Sequence, residues 1–387
     1  HIATVSESLQ TLSNERTNSV MARIKKVLEA FSIEKVGVQH FASVTGYGHG
    51  DQGREVIDKV FARILGAEKA AVRLQFVSGT HAIATALFGI LRPGDTLLSI
   101  TGRPYETLEE VIGLRGTKQG SLLEFGISYK ELSLTPEGKV DFLTLQKALA
   151  LPVKMVFIQK SSGYSWRPSL STNDIKDICD LVHTNQPECI CFVDNCYGEL
   201  VEREEPTEAG ADLIAGSLIK NLGGTIVPTG GYVAGKADLV ERACCRLTSP
   251  GIGSQGGTSF GLNRLILQGL FLAPQMIAEA LIGADLIAGV FHELGFSVKP
   301  VPGENRTDLI QAIKLGNEES VKVICRAFQA CSPIGSYLDP IPATMTGYEN
   351  KLIMAGGTFI DGSTSEFSAD APLKPPYNLY IQGGTHH

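Results

Sequence analysis

The segment ADLIAGSLIKNLGG, residues 211–224, ends an apolar, strand-like run in Lys220, three residues after Ser217 and just before a glycine pair. A lysine so placed either snorkels to water along its aliphatic stem or is held in a pocket for the chemistry of its amine. The chain offers companions for the second role. CICFVDNCYGE is an apolar strand closing on Asp194, and an acid at the end of a parallel strand faces the crevice where open α/β sheets bind ligands. FVSGTHA ends a strand at Ser78, and Gly79 and Thr80 then open a helix. Its free N–H groups and positive dipole end suit an anion such as a phosphate. Tyr105, in GRPYETLEE after the next strand, supplies an aromatic face.

Alone, each residue has a plainer reading: a snorkelling lysine, a strand-end cap at Asp194, an ordinary helix start at SGT, a packing tyrosine. Together they are the parts that pyridoxal phosphate requires. It needs a lysine for a Schiff base, an acid for the pyridine nitrogen, a helix N-terminus for the phosphate and a ring to stack on. Two glycine motifs compete and fail on context. GHGDQG, Gly48 to Gly53, matches a dinucleotide fingerprint but lacks a clear preceding strand. GGYVAGKA matches a P-loop until Ala237, where a magnesium-binding hydroxyl is needed, and its middle is strand-like.

The elements that must carry these residues alternate. The first helix is expected over Asn18 to Phe31, with Val20, Ile24, Val27, Leu28 and Phe31 on one face and Thr17 capping it. AAVRLQFVS, TLLSI, KMVFIQ, CICFVDN, the lysine segment and GGYVAG read as strands, with helices at GTHAIATALFGIL, YETLEEVIG and TNDIKDICDLVHT. This predicts an α/β chain with a mostly parallel sheet between helices and a smaller C-terminal α+β domain. The divisions are 1–50, an N-terminal helix and contact segment, 51–250, a large cofactor-binding domain, and 251–387, the smaller domain. The 387 residues suffice for a large core, and a net charge of −7 argues against nucleic acid or an anionic membrane as partner. The apolar run LILQGLFLAPQMIAEALIGADLIAGVF is interrupted by Gln268, Pro274, Glu279 and Asp285, and reads as one or two buried helices. Eight cysteines without a CxxC pair read as reduced cytoplasmic thiols, with no metal site expected. No cleavable signal pattern opens the chain, His1 reads as following a lost native start, and the terminal THH reads as a tag remnant.

The chain resembles the type I pyridoxal-phosphate enzymes of the Cys/Met metabolism superfamily. Within them it is most similar to the methionine gamma-lyase-like, or aluminium-resistance, branch. VSGTHAIATALFGILRPGD, TGRPYETLEEVIG, SGYSWRPSL, VDNCYGELVE, SLIKNLGG, QGLFLAP and SADAPLKPPY carry the likeness. The resemblance implies a seven-stranded sheet in the large domain and pyridoxal 5'-phosphate bound covalently to Lys220. It makes Asp194 the partner of the ring nitrogen, while Ser78, Gly79, Thr80 and Ser217 hold the phosphate. Tyr105 would stack on the ring and act as an acid toward the leaving group. Tyr47 would reach the neighbouring subunit's phosphate site, which implies a homodimer or a dimer of dimers. The implied activity is beta- or gamma-elimination on a small sulfur-containing amino acid. An aldolase, transaminase or gamma-replacement reaction, or a cofactor-binding protein with little turnover, are the alternatives.

The chain also departs from the better-known lyases. Their Tyr-x-Arg is Tyr47-Gly48-His49 here, leaving His49 or Arg54 to substitute, and an Asn-Pro pair is Arg167-Pro168. The arginine that grips the substrate carboxylate falls at Met354, so Arg167 becomes the expected carboxylate ligand, with Lys374 behind it.

Overall fold

A computed structural model describes residues 2–363 and 366–386. Its central sheet consists of β1 (Lys69–Arg73), β2 (Thr96–Ser99), β3 (Ser128–Glu131), β4 (Met155–Gln159), β5 (Ile190–Asp194), β6 (Leu213–Ser217) and β7 (Gly231–Gly235). The order is β1-β7-β6-β5-β4-β2-β3, and only β7 runs antiparallel to its neighbours. In β4 every residue is buried, because alternate side chains enter two separate cores. Val156 and Ile158 pack on one face with α3 (Gln52–Ile64) and, after β4, α7 (Thr172–Asn185). Met155 and Phe157 pack on the other with α4 (Gly79–Ile90), α5 (Glu106–Ile112) and α8 (Ala237–Leu247). The remaining helix of this part is the short α6 (Phe142–Ala148).

Two N-terminal helices, the short α1 (Ile2–Ser8) and the long α2 (Gln10–Ile33), lie against α9 (Asn263–Glu293). The first long helix therefore starts earlier than the expected Asn18. Thr17 is interior to it, and its hydroxyl donates back to the Ser13 carbonyl at 3.0 Å. Val20 and Val27 are buried as expected, whereas Leu28 is 49% exposed. The apolar run after residue 262 forms one helix, α9, with Pro274 inside it. Its length and composition would allow a membrane crossing, but 61% of its most apolar window is buried within the protein. Asp285 of α9 is tolerated there because Arg16 and Arg306 both donate to it.

A second sheet of order β10-β11-β12-β9-β8 follows, antiparallel throughout, from β8 (Ser297–Lys299), β9 (Gln311–Lys314), β10 (Leu352–Gly356), β11 (Ser368–Pro372) and β12 (Asn378–Gln382). With α10 (Glu318–Ala330) and the end of α9 it encloses its own apolar core. The expected α/β large part and smaller α+β part are thus both present. The eight cysteines are free thiols.

Candidate active site

The carboxyl ends of the parallel strands converge on one cavity of about 270 Å³. Strand register delivers its floor: Gln159 of β4 stands opposite Asp194 of β5, and Asp194 opposite Ala215 of β6, two residues before Ser217. The chain then turns, and Lys220 enters the cavity from just past β6. Its Nζ donates to the Gly362 carbonyl at 2.6 Å and lies 5.0 Å from the centroid of the Tyr197 ring. Burial among these walls lowers the lysine pKa, and the acidic groups nearby offset this only in part.

Asp194 sits on the same floor and accepts the Cys196 N–H at 3.1 Å. Burial pushes its pKa up to about 6, since that hydrogen bond and the more remote Arg167 charge only partly compensate. A cationic N–H against it would restore the charged form. Ser78 caps α4 by accepting the His81 N–H on its hydroxyl at 3.1 Å, which leaves Gly79 and Thr80 heading the helix at the cavity wall. A Cβ on Gly79 would stand 3.2 Å from both Cys196 Sγ and Ser217 Cβ, so the helix end approaches the floor as closely as a glycine permits. His81 is structural: its Nδ1 accepts the Val77 N–H at 3.2 Å. Burial holds the Cys196 thiol well above its usual range, which disfavours the nucleophilic thiolate.

Four of the wall residues are tyrosines. Tyr105 meets Tyr164 and Tyr348 edge-on, at centroid separations of 5.6 and 5.9 Å, and its hydroxyl hydrogen-bonds that of Tyr348. Tyr197 completes the set with φ at +69°, a left-handed conformation that a bulky residue adopts only when its surroundings impose it. Tyr348 and Tyr197 escaped sequence reasoning. Tyr197 stood three residues past Asp194, where nothing distinguishes a wall from packing, and Tyr348 lies in a loop with no periodic pattern.

The structure brings together Lys220, Asp194, Ser78, Gly79, Thr80, Ser217 and Tyr105. It does not bring Arg167 there. Arg167 lines an adjacent cavity with Trp166 and Lys374, and its guanidinium donates to the carbonyls of Pro168, Gln159 and Ser161. Lys374 pairs with Glu106 at 3.3 Å. Met354 is half-exposed on β10. Tyr47 is 82% exposed and outside the cavity. Arg54, buried, donates to Gly48, Gln255 and Gly257 carbonyls, and so pins the tyrosine's loop rather than offering a free charge. The GHGDQG segment leads into α3 with no strand before it among the described residues, while GYVAG is β7 itself.

The methionine gamma-lyase family model matches residues 1–387. The chain belongs to the methionine gamma-lyase family. A Bacillus subtilis protein, YnbB, is 47% identical over 360 residues, covering 93% of this chain and 86% of its own. A Listeria monocytogenes structure, described as a candidate cystathionine beta-lyase involved in aluminium resistance, superposes with a TM-score of 0.96 at 47% identity over 100% of this chain and 95% of the other. A Clostridium novyi structure, described as a carbon-sulfur lyase involved in aluminium resistance, gives 0.95 at 45% identity, covering 100% and 91%. The fold is that of the type I pyridoxal-phosphate enzymes. The family's cofactor can be tested against the cavity. An acid starved of a cationic partner, an open helix N-terminus cradled by a glycine, and a lysine amine with lowered pKa are the donor and acceptor set that pyridoxal phosphate needs, and the residues fit.

Proposed function

We propose that this member of the methionine gamma-lyase family is a pyridoxal-phosphate-dependent carbon–sulfur lyase acting on a small sulfur-containing amino acid. The observation that carries the reading is Lys220 sharing one cavity with Asp194 and the N-terminus of α4. Bound pyridoxal phosphate supplies an electron sink for the charge left when a substrate proton departs. Ser78, Gly79, Thr80 and Ser217 would hold the phosphate, and Asp194 would answer the ring nitrogen. The lowered pKa of Lys220 raises the fraction of free amine at neutral pH, as both covalent attachment and base catalysis require. The same Nζ lifts the substrate alpha proton, and a second transfer at the beta carbon extends the reaction to gamma-elimination. Ile83, Leu108, Ile219 and Ile310 give the cavity an apolar wall suited to a thioether chain. A homodimer or dimer of dimers completes the phosphate site through Tyr47.

A second reading has its own support. With Arg167 spent on backbone carbonyls and Met354 on β10, Lys220 is the only arginine or lysine among the described residues lining the cavity, and none of these offers a separate cation for a substrate carboxylate. A cofactor-binding protein with little turnover would tolerate this. Visible absorbance of the cofactor-loaded protein, before and after L-cystathionine or L-methionine, separates the readings. The lyase predicts a yellow band that shifts with substrate and releases keto acid, while Lys220→Ala loses the native band and roughly 10³-fold in rate. A spectral shift without keto acid favours the binding protein. A wild-type protein that stays colourless with pyridoxal phosphate defeats both.

A further inference from the structure

Away from the cavity, one group of metal-ligating side chains converges among the described residues. His183, Cys191 and Asp212 each offer a ligand atom, and the three atoms lie within 4.8 Å of one another. They come from three elements: His183 from the last turn of α7, Cys191 from the second position of β5, and Asp212 from the position just before β6. In the parallel pair β5–β6 these are amino-end positions, whereas Asp194 and Lys220 belong to the carboxyl ends. Cys191 precedes Asp194 by about 10 Å of strand, so the group is separate from the cavity. The chain has no CxxC pair, and these ligands meet only through the fold. A thiol, an imidazole and a carboxylate form a ligand set suited to zinc. Around a tetrahedral zinc with bonds of about 2.0–2.3 Å, ligand atoms stand about 3.3–3.8 Å apart. His183 Nε2 and Asp212 Oδ2 are 2.9 Å apart and would open slightly, while no pair in the group exceeds 4.8 Å. Other contacts orient the carboxylate: Oδ1 pairs with Lys236 Nζ at 2.7 Å, and Oδ2 accepts the Cys191 N–H at 2.7 Å. Cys191 and Asp212 are buried, and the half-buried His183 opens the approach from solvent.

We propose that His183, Cys191 and Asp212 bind a thiophilic divalent cation of the zinc class, which fastens the end of α7 to the amino ends of β5 and β6. The cation displaces the Cys191 thiol proton to solvent and replaces the hydrogen bond between His183 and Asp212 by coordination. Thiolate and carboxylate together balance its two charges, and Lys236 stays on Oδ1. The role is structural. Asp194 ends β5 and Lys220 follows β6, so the cation steadies the strands beneath the cavity without touching anything bound there. The inference stands independently of the lyase reading.

Zinc binding to the full chain, stripped with a chelator, incubated with zinc and desalted, tests it. Elemental analysis is expected to find one zinc per chain, and X-ray absorption at the zinc edge a sulfur neighbour at about 2.3 Å. Cys191→Ser should lose that sulfur neighbour. His183→Gln keeps a polar side chain beside Asp212, yet should lower zinc affinity by more than the roughly 10–100-fold that losing an outer partner of a ligand costs. Cys331→Ser alters the exposed thiol and should leave every readout unchanged. Added zinc should raise the thermal midpoint of the wild type and of Cys331→Ser, and not that of His183→Gln. Failure of the wild type to retain zinc overturns the proposal. So does zinc held without a sulfur neighbour, as exposed histidines alone would hold it, or a sulfur neighbour that persists in Cys191→Ser. If Cys191→Ser does not fold, His183→Gln decides, and an unchanged zinc affinity in that variant overturns the proposal.

Discussion

Glu199 is fully buried, accepts the Tyr232 hydroxyl on Oε1 at 2.9 Å, and has no hydrogen-bond partner for Oε2 among the described residues. Burial pushes its pKa up to about 8. The native state therefore keeps a proton that the unfolded chain has released. Stability from this group is complete below the ordinary glutamate range and is lost progressively as pH rises to about 8. Glu199→Gln abolishes that titration. Relative to wild type, the variant should gain roughly 1 kcal/mol per pH unit between about pH 5 and 8, measured by urea unfolding at several pH values. A constant offset between the two proteins would contradict it. The same scale shows which residues the sequence could reveal. Lys220, Asp194 and Ser78 were legible because each sits at a strand end or helix start that its neighbours announce. Arg167 was misjudged because a guanidinium serves a carboxylate or three carbonyls equally well, and only the folded chain brings the carbonyls of Gln159 and Ser161 to it. Tyr348 comes from a segment remote in sequence, where no pattern links it to Lys220.

At the scale of elements, β4, β5, β6 and β7 and helices α4, α5 and α7 were readable because buried strands and amphipathic helices leave opposite periodicities. The errors have local causes. AAVRLQFVS yields a strand only to Arg73, after which the chain turns toward the cap at Ser78. SYKE of β3 is too exposed an edge strand to show an apolar run. The placement of α4, and so of the proposed phosphate site, depends on a feature without any sequence pattern, its crossing with α8. A Cβ on Gly89 would lie 2.7 Å from the Arg242 carbonyl oxygen and 2.9 Å from the Ala243 Cα, and backbone cannot move aside as a side chain can. Gly89→Ala should therefore cost about 1–3 kcal/mol through overpacking, despite alanine's better helix propensity. Urea denaturation measures this, and a neutral or stabilising result would mean that the helices are free to separate.

The whole molecule leaves one expected site residue unexplained within a single chain. Tyr47 is 82% exposed on a loop that Arg54 fastens to residues 255–257, so it is displayed rigidly and away from its own cavity. Met21 at 72%, Ile33 at 56% and Val38 at 80% expose apolar side chains along α2 and the turn after it, within the same N-terminal segment. Apolar surface of this kind is what an interface covers. A second copy of the chain satisfies both observations, since it would bury the N-terminal face and receive Tyr47 at its phosphate site. Mixing two inactive variants, Lys220→Ala and Tyr47→Ala, decides whether the sites are shared. In a mixed dimer with shared sites, one cavity lacks both residues, while the other combines an intact Lys220 with the intact Tyr47 contributed by the Lys220→Ala copy. Activity should then recover to about one quarter of wild type, because half of randomly mixed dimers are heterodimers and each carries one working site of two. If Tyr47 instead serves its own subunit, the copy with Lys220 lacks Tyr47 and the copy with Tyr47 lacks Lys220. No mixture then regains activity.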